Sequence, residues 1–96
     1  MSNLAVQIEA KASDIFTKLG FEPIHVNSEK VYKNESGYHM FTFVDGLSAF
    51  VIEWAQSLDE ASKDMYEDCD LLPISLGEDE LLRQLENILI EHYSMA

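Results

Sequence analysis

The sequence predicts an α+β fold in two layers, a three-stranded antiparallel meander packed with three helices in the order α-β-β-β-α-α. Three observations predict it. Apolar residues recur every three or four positions near both ends of the chain, β-branched and aromatic residues crowd its middle, and turn-forming residues punctuate that middle. The 96 residues, 47% hydrophobic and 25% charged, have the composition of one globular domain over residues 1–96, without linker or repeat.

The first helix follows from Leu4, Ile8, Ala12, Ile15, Phe16 and Leu19, which share one helical stripe. Gly20 stops it, because glycine readily takes the left-handed conformation of a C-terminal cap, and Pro23 reinforces the stop. Ile24 to Lys33 reads as an edge strand, in one piece or two, interrupted by Asn27-Ser28-Glu29. Asn34-Glu35-Ser36-Gly37 is a turn signal, and Tyr38 to Val44 is a strand by residue type. Asp45-Gly46 suits a tight hairpin, so the third strand is expected over Leu47 to Ala55. Alternation points Phe50, Ile52 and Trp54 to one face, the expected core, and Ala49, Val51 and Glu53 to the other.

Ser57-Leu58-Asp59-Glu60 matches a capping box, in which the Ser hydroxyl and the Glu carboxylate satisfy amides at a helix start. A short helix is expected from Leu58 to about Glu67, with a thin stripe of Leu58, Ala61 and Met65. Asp70 to Ser75 reads as an apolar loop before Gly77. The last helix, Glu78 to about Tyr93, carries the stripe Leu81, Leu82, Leu85, Ile88, Leu89 and Tyr93, with Glu78, Asp79 and Glu80 at its positive dipole end. Three helices cannot cover aromatic residues on both sheet faces. Either the sheet curls, or the face bearing residues such as His39, Phe41 and Phe43, or their alternates, beside Val51 and Glu53 serves a partner.

Charge narrows the function. Eighteen acids against six bases give a net charge of -12 and a pI near 4.3. Nucleic-acid backbones and anionic membranes both select Lys and Arg, so a basic protein is the expected partner. The asymmetry is internal as well: residues 1–48 hold 6 acids and 4 bases, residues 49–96 hold 12 acids and 2 bases. On the expected short helix, Asp64 stands four residues after Glu60, and Glu67 and Asp68 stand three and four after Asp64, which makes one acidic ridge. Like charges there repel, so the ridge reads as a surface complementary to Lys and Arg, with Tyr66 as its aromatic anchor and Trp54 in the core. The one cysteine, Cys69, excludes an intrachain disulfide and fits a reducing cytosol. The start of the chain lacks the basic and apolar regions of a signal peptide, and the expected location is cytoplasmic.

Chemistry is poorly provided for. Asp68-Cys69-Asp70 opens like a calcium loop, but such loops need Gly at position six and Glu at position twelve, where this chain has Pro73 and Asp79. No metal or cofactor is expected. Cys69 has no basic neighbour in sequence to activate it and is expected half-buried. His25, His39 and His92 lie on separate elements and are expected to be structural. Glu53 faces solvent or a base, without the pocket and paired group that acid–base catalysis requires. No phosphate loop, nucleophile elbow or zinc-protease motif is present. A binder is expected, and no enzyme.

Phe50-Val51-Ile52-Glu53-Trp54-Ala55, Glu60-Ala61, Glu67-Asp68-Cys69-Asp70-Leu71-Leu72-Pro73 and Gly77-Glu78-Asp79-Glu80-Leu81-Leu82 together resemble small acidic immunity proteins of bacterial polymorphic and contact-dependent toxin systems. The resemblance runs from Phe50 to Leu89. It implies a non-enzymatic protein that binds and neutralises a cognate toxin domain in the cytoplasm. Charge placement assigns the contact to Glu60, Asp64, Tyr66, Glu67, Asp68 and Asp70, and a basic toxin, such as a nuclease, as the partner of a monomer. The alternative is a small acidic secretion-type chaperone that holds an unfolded client as a dimer.

Overall fold

A computed structural model describes residues 3–93, apart from the side chains of Asn3, Asp68, Cys69, His92 and Tyr93. The expectations for Cys69 and His92 therefore lie outside the described residues. The class is α+β, as the sequence predicts, but the sheet has five strands. Helix α1 (Asn3–Lys18) precedes β1 (Glu22–Val26), β2 (Glu29–Asn34), β3 (Gly37–Val44) and β4 (Ala49–Ala55). A short α2 (Leu58–Ser62), β5 (Glu67–Pro73) and α3 (Glu78–Ile88) follow, the last continuing into a wider helical turn over Leu89–Tyr93. The strands run antiparallel in the order β1-β2-β3-β4-β5. Among the described residues no helix is long and apolar enough to cross a membrane.

Three of the expected boundaries move for local reasons. Asn27 and Ser28 both take positive φ, 52° and 69°, as a type I′ turn requires. The expected edge strand is thus a complete hairpin closed by the pair Val26 and Glu29. Beyond Ala55, the expected loop at Asp70–Ser75 is largely strand, since β5 pairs with β4 from Trp54↔Glu67 to Ala49↔Pro73, with a bulge beside Ile52 and Glu53. An acidic, Pro-ended segment can only be an edge strand. The Asp45-Gly46 turn also differs: Val44 pairs with Ala49, Asp45–Leu47 form a single tight helical turn, and Ser48 supplies the positive φ.

Seven pairs from Tyr38↔Ala55 to Val44↔Ala49 join β3 to β4. Paired residues share a face, so His39, Phe41 and Phe43 fall on the side of Phe50 and Ile52, beneath the helices. The opposite face receives Tyr38, Met40, Thr42 and Val44 beside Val51 and Glu53. The main core joins Ala5, Ile8, Ala12 and Phe16 of α1 to Leu81, Leu85 and Leu89, over Tyr32, Phe50, Ile52 and Leu72 of the sheet. Phe16 stacks on Tyr32 with centroids 3.9 Å apart, and Phe41 on Phe50 at 4.4 Å. Lys11 and Lys18 of α1 bind Glu78 and Glu86 of α3 at 2.6 and 3.0 Å, which holds the helices side by side. A smaller core of Val26, Val31, Met40 and Ala55 lies on the other face under Ala61.

Trp54, expected in the core, is half-buried, and its indole N–H donates to the Ser36 carbonyl at 3.0 Å. The ring lies over Gly37, whose φ is +139°. A Cβ there would stand 2.5 Å from Trp54 Nε1 and 2.6 Å from the Ala55 carbonyl. Gly37→Ala should therefore cost about 2–3 kcal/mol, read as a lower denaturant midpoint with an unchanged slope. His39 is fully buried with Phe21 edge-on at 5.2 Å. Its Nδ1–H donates to the Tyr32 carbonyl at 3.3 Å. Burial lowers its pKa from 6.5 to about 4, against the opposing pull of that carbonyl. Between these values the unfolded chain takes up a proton that the native state refuses. Stability therefore falls as pH drops from 6.5 to about 4, by about 3 kcal/mol in all. His39→Gln should flatten the pH dependence of unfolding over that window.

Candidate functional site

The acidic residues nominated by charge placement converge around the connection from β4 to β5, but not as one ridge. Ser57 caps α2, its hydroxyl accepting from the Glu60 amide at 3.2 Å, which is the serine half of the expected capping box. The helix then stops after five residues, at Ser62. Asp64 adopts a left-handed φ of +58°. The Met65 amide donates to Glu60 O at 2.8 Å and the Asp64 amide to Ala61 O at 3.1 Å. These two bonds are those of a Schellman stop, with Asp where Gly is usual. Gly20 ends α1 by the same pair of bonds, Phe21 to Phe16 and Gly20 to Thr17.

The early stop corrects the expected helix to Glu67 and dissolves the ridge. Glu60 stays on α2, Asp64 sits at its exit, and Glu67, Asp68 and Asp70 belong to β5. The register sets Glu67 opposite Trp54, Asp68 opposite Glu53 and Asp70 opposite Ile52, so these positions are divided between the sheet faces. The side chain of Asp68 lies outside the described residues. Of the expected stripe only Ala61 is buried, while Leu58 and Met65 are exposed by 53% and 57%.

Tyr66 becomes the centre of a different grouping. Its ring packs, half-buried, against the smaller core, and its hydroxyl is buried without a hydrogen-bond partner among the described residues. Burial raises its pKa, and the charges of Glu29, Asp64 and Glu53 raise it further. These three carboxylates come from β2, the α2 exit and β4. Asn27 helps to bring them together, since its side-chain amide donates to the Ser62 carbonyl at 2.6 Å and ties the β1–β2 turn to α2. Glu53 stands out in the sequence as an acid inside an apolar strand. Glu29 gives no such signal, because its place depends on the hairpin turn at Asn27-Ser28.

The bases are engaged elsewhere. Lys11 and Lys18 hold α3, Lys63 binds Asp59 at 3.1 Å, and Arg83 binds Glu80. Lys30 reaches Ser13 Oγ at 2.9 Å, and Lys33 lies over the Tyr38 ring. None of these contacts draws on Glu60, Asp64 or Asp70, whereas Glu78, Glu80 and Glu86 of α3 are each bound to a base. Ion pairing in the second half thus falls on Asp59, Glu78, Glu80 and Glu86 and leaves Glu60, Asp64 and Asp70 outside it. An aromatic ring ringed by carboxylates attracts a cation both electrostatically and through its face. Tyr66→Phe should leave the fold intact and raise stability by up to about 1 kcal/mol, since it deletes a buried, unsatisfied hydroxyl; thermal unfolding checks this.

The cleft between α1, β2 and β3 is lined by neither Glu53 nor a histidine, so it is not the pocket that an acid–base role for those residues requires. No family model matches the chain, and no curated protein or solved structure matches it either.

Proposed function

We propose that this protein is a non-enzymatic immunity protein, which neutralises a basic toxin domain by binding it through the acidic surface around α2 and β5. The observation that carries the reading is the distribution of ion pairs: Glu78, Glu86 and Glu80 of α3 are bound to Lys11, Lys18 and Arg83, while Glu60, Asp64 and Asp70 take part neither in these pairs nor in that of Asp59 with Lys63. Such a surface raises the association rate with a cationic partner through long-range steering. The same segment exposes Leu58, Met65 and Leu71 beside Tyr66, and apolar and aromatic anchors of this kind supply the short-range affinity that surface charge does not. The sequence resemblance to immunity proteins supports the same reading, with the cytoplasm as its location and a monomer as its working form.

The test is association kinetics with the toxin domain encoded beside this chain. Replacing Glu60, Asp64, Glu67, Asp68 and Asp70 together by Ala should slow association about tenfold or more at low salt and flatten its ionic-strength dependence. An unchanged on-rate and full protection of cells against the toxin would overturn this site. A stable dimer in sedimentation that captures unfolded client chains would favour a secretion-type chaperone instead.

A further inference from the structure

The sheet is not closed between its second and third strands. The register joining β2 to β3 covers only Tyr32↔His39, Lys33↔Tyr38 and Asn34↔Gly37, although β3 continues to Val44 paired with β4 throughout. Among the described residues, no strand pairs with Met40–Val44 on the β2 side. Ladder bonds alternate along an antiparallel strand. The tight turn closed by Asn34 and Gly37 therefore directs the amides and carbonyls of Phe41 and Phe43 toward that side. There the strands part into a cleft of about 480 Å³, walled by α1. Val6, exposed by 52%, and Ala10 give the wall an apolar stretch, while Glu9 and Glu29 give it negative charge. Its base, Lys30, is bound to Ser13 Oγ at 2.9 Å and lies 5.3 Å from the Tyr32 ring centroid.

We propose that this cleft receives an extended basic segment of a protein partner, which adds as a strand to the Met40–Val44 edge of β3 with its Lys or Arg side chains at Glu9 and Glu29. Main-chain pairing to an open strand edge supplies affinity and flanking side chains supply selectivity. The charge of the wall and of the whole chain selects a cationic segment over an acidic one. The cleft shares Glu29 with the Tyr66 grouping but is lined by none of Glu60, Asp64 and Asp70, so the proposal goes beyond the reading above and is tested without the toxin.

The probes are a short capped peptide alternating Lys with Val and its counterpart alternating Glu with Val, titrated into the full chain. Amide resonances and hydrogen exchange are followed residue by residue. The basic peptide should bind saturably, shift Met40–Val44 and Glu9, and slow exchange at Phe41 and Phe43, whereas the acidic peptide should not bind. Glu9→Lys, and independently the exposed Glu29→Lys, should weaken binding about tenfold. The Ala variant lacking the α2 and β5 acids should still protect Phe41 and Phe43. Failure of the basic peptide to protect these amides, equal binding of both peptides, or shifts confined to α2 and β5 would overturn the proposal. So would protection that appears without peptide and rises with protein concentration, which would make a second copy the occupant.

Discussion

The pairing of β3 with β4 is the constraint on which the rest of this structure hangs. A slip of β4 by one residue against β3 would carry Phe50 and Ile52 away from α1 and α3 and bring Val51 and Glu53 beneath them. Burying Glu53 there would cost several kcal/mol without a partner. The register is therefore strongly specified by burial. It is also locked at one end, where the Trp54 indole binds Ser36 and covers the only side of Gly37 that a Cβ could occupy. Once that pairing is set, both helices have one apolar surface to cover, and the smaller core beneath Ala61 fills the other side.

How far the sequence could be read follows from how each element is encoded. The stripes of α1 and α3 and the residue types of β3 and β4 are direct physical signals, and they place the helices and the sheet's centre correctly. The edges carry weaker signals. β5 contains three acids, no β-branched residue and a proline, so its propensity argues against the strand that pairing with β4 imposes. The two helix stops make the same point: Gly20 announces its left-handed conformation, whereas Asp64 adopts it with no glycine to reveal it. That single backbone choice removes Glu67 and Asp68 from the helix. It also makes the Tyr66 grouping with Glu29 and Glu53 invisible to spacing arguments, since three separate segments must fold before those charges meet.

Charge has two jobs in the folded chain. On α3, Glu78 and Glu86 neutralise lysines of α1 and help to hold the two helices side by side over the sheet, although exposed pairs of this kind contribute only about 0–1 kcal/mol each. Around α2 and β5 the acids gain nothing from those lysines. The native state tolerates their mutual repulsion because the packing of Phe16, Tyr32, Phe50 and their neighbours carries the stability of the fold. The proposed binding surface and the scaffold are thus separable: the carboxylates around the α2 exit can change without touching the aromatic core.

The acids of β5 have one more consequence. This strand is an outer edge of the sheet, with backbone groups available to any other edge that approaches, and its acidic residues together with Pro73 oppose such pairing. As the medium approaches the pI near 4.3, that electrostatic guard weakens together with the repulsion between whole molecules. Strand pairing between copies along β5 is thus less opposed in mild acid than in neutral buffer.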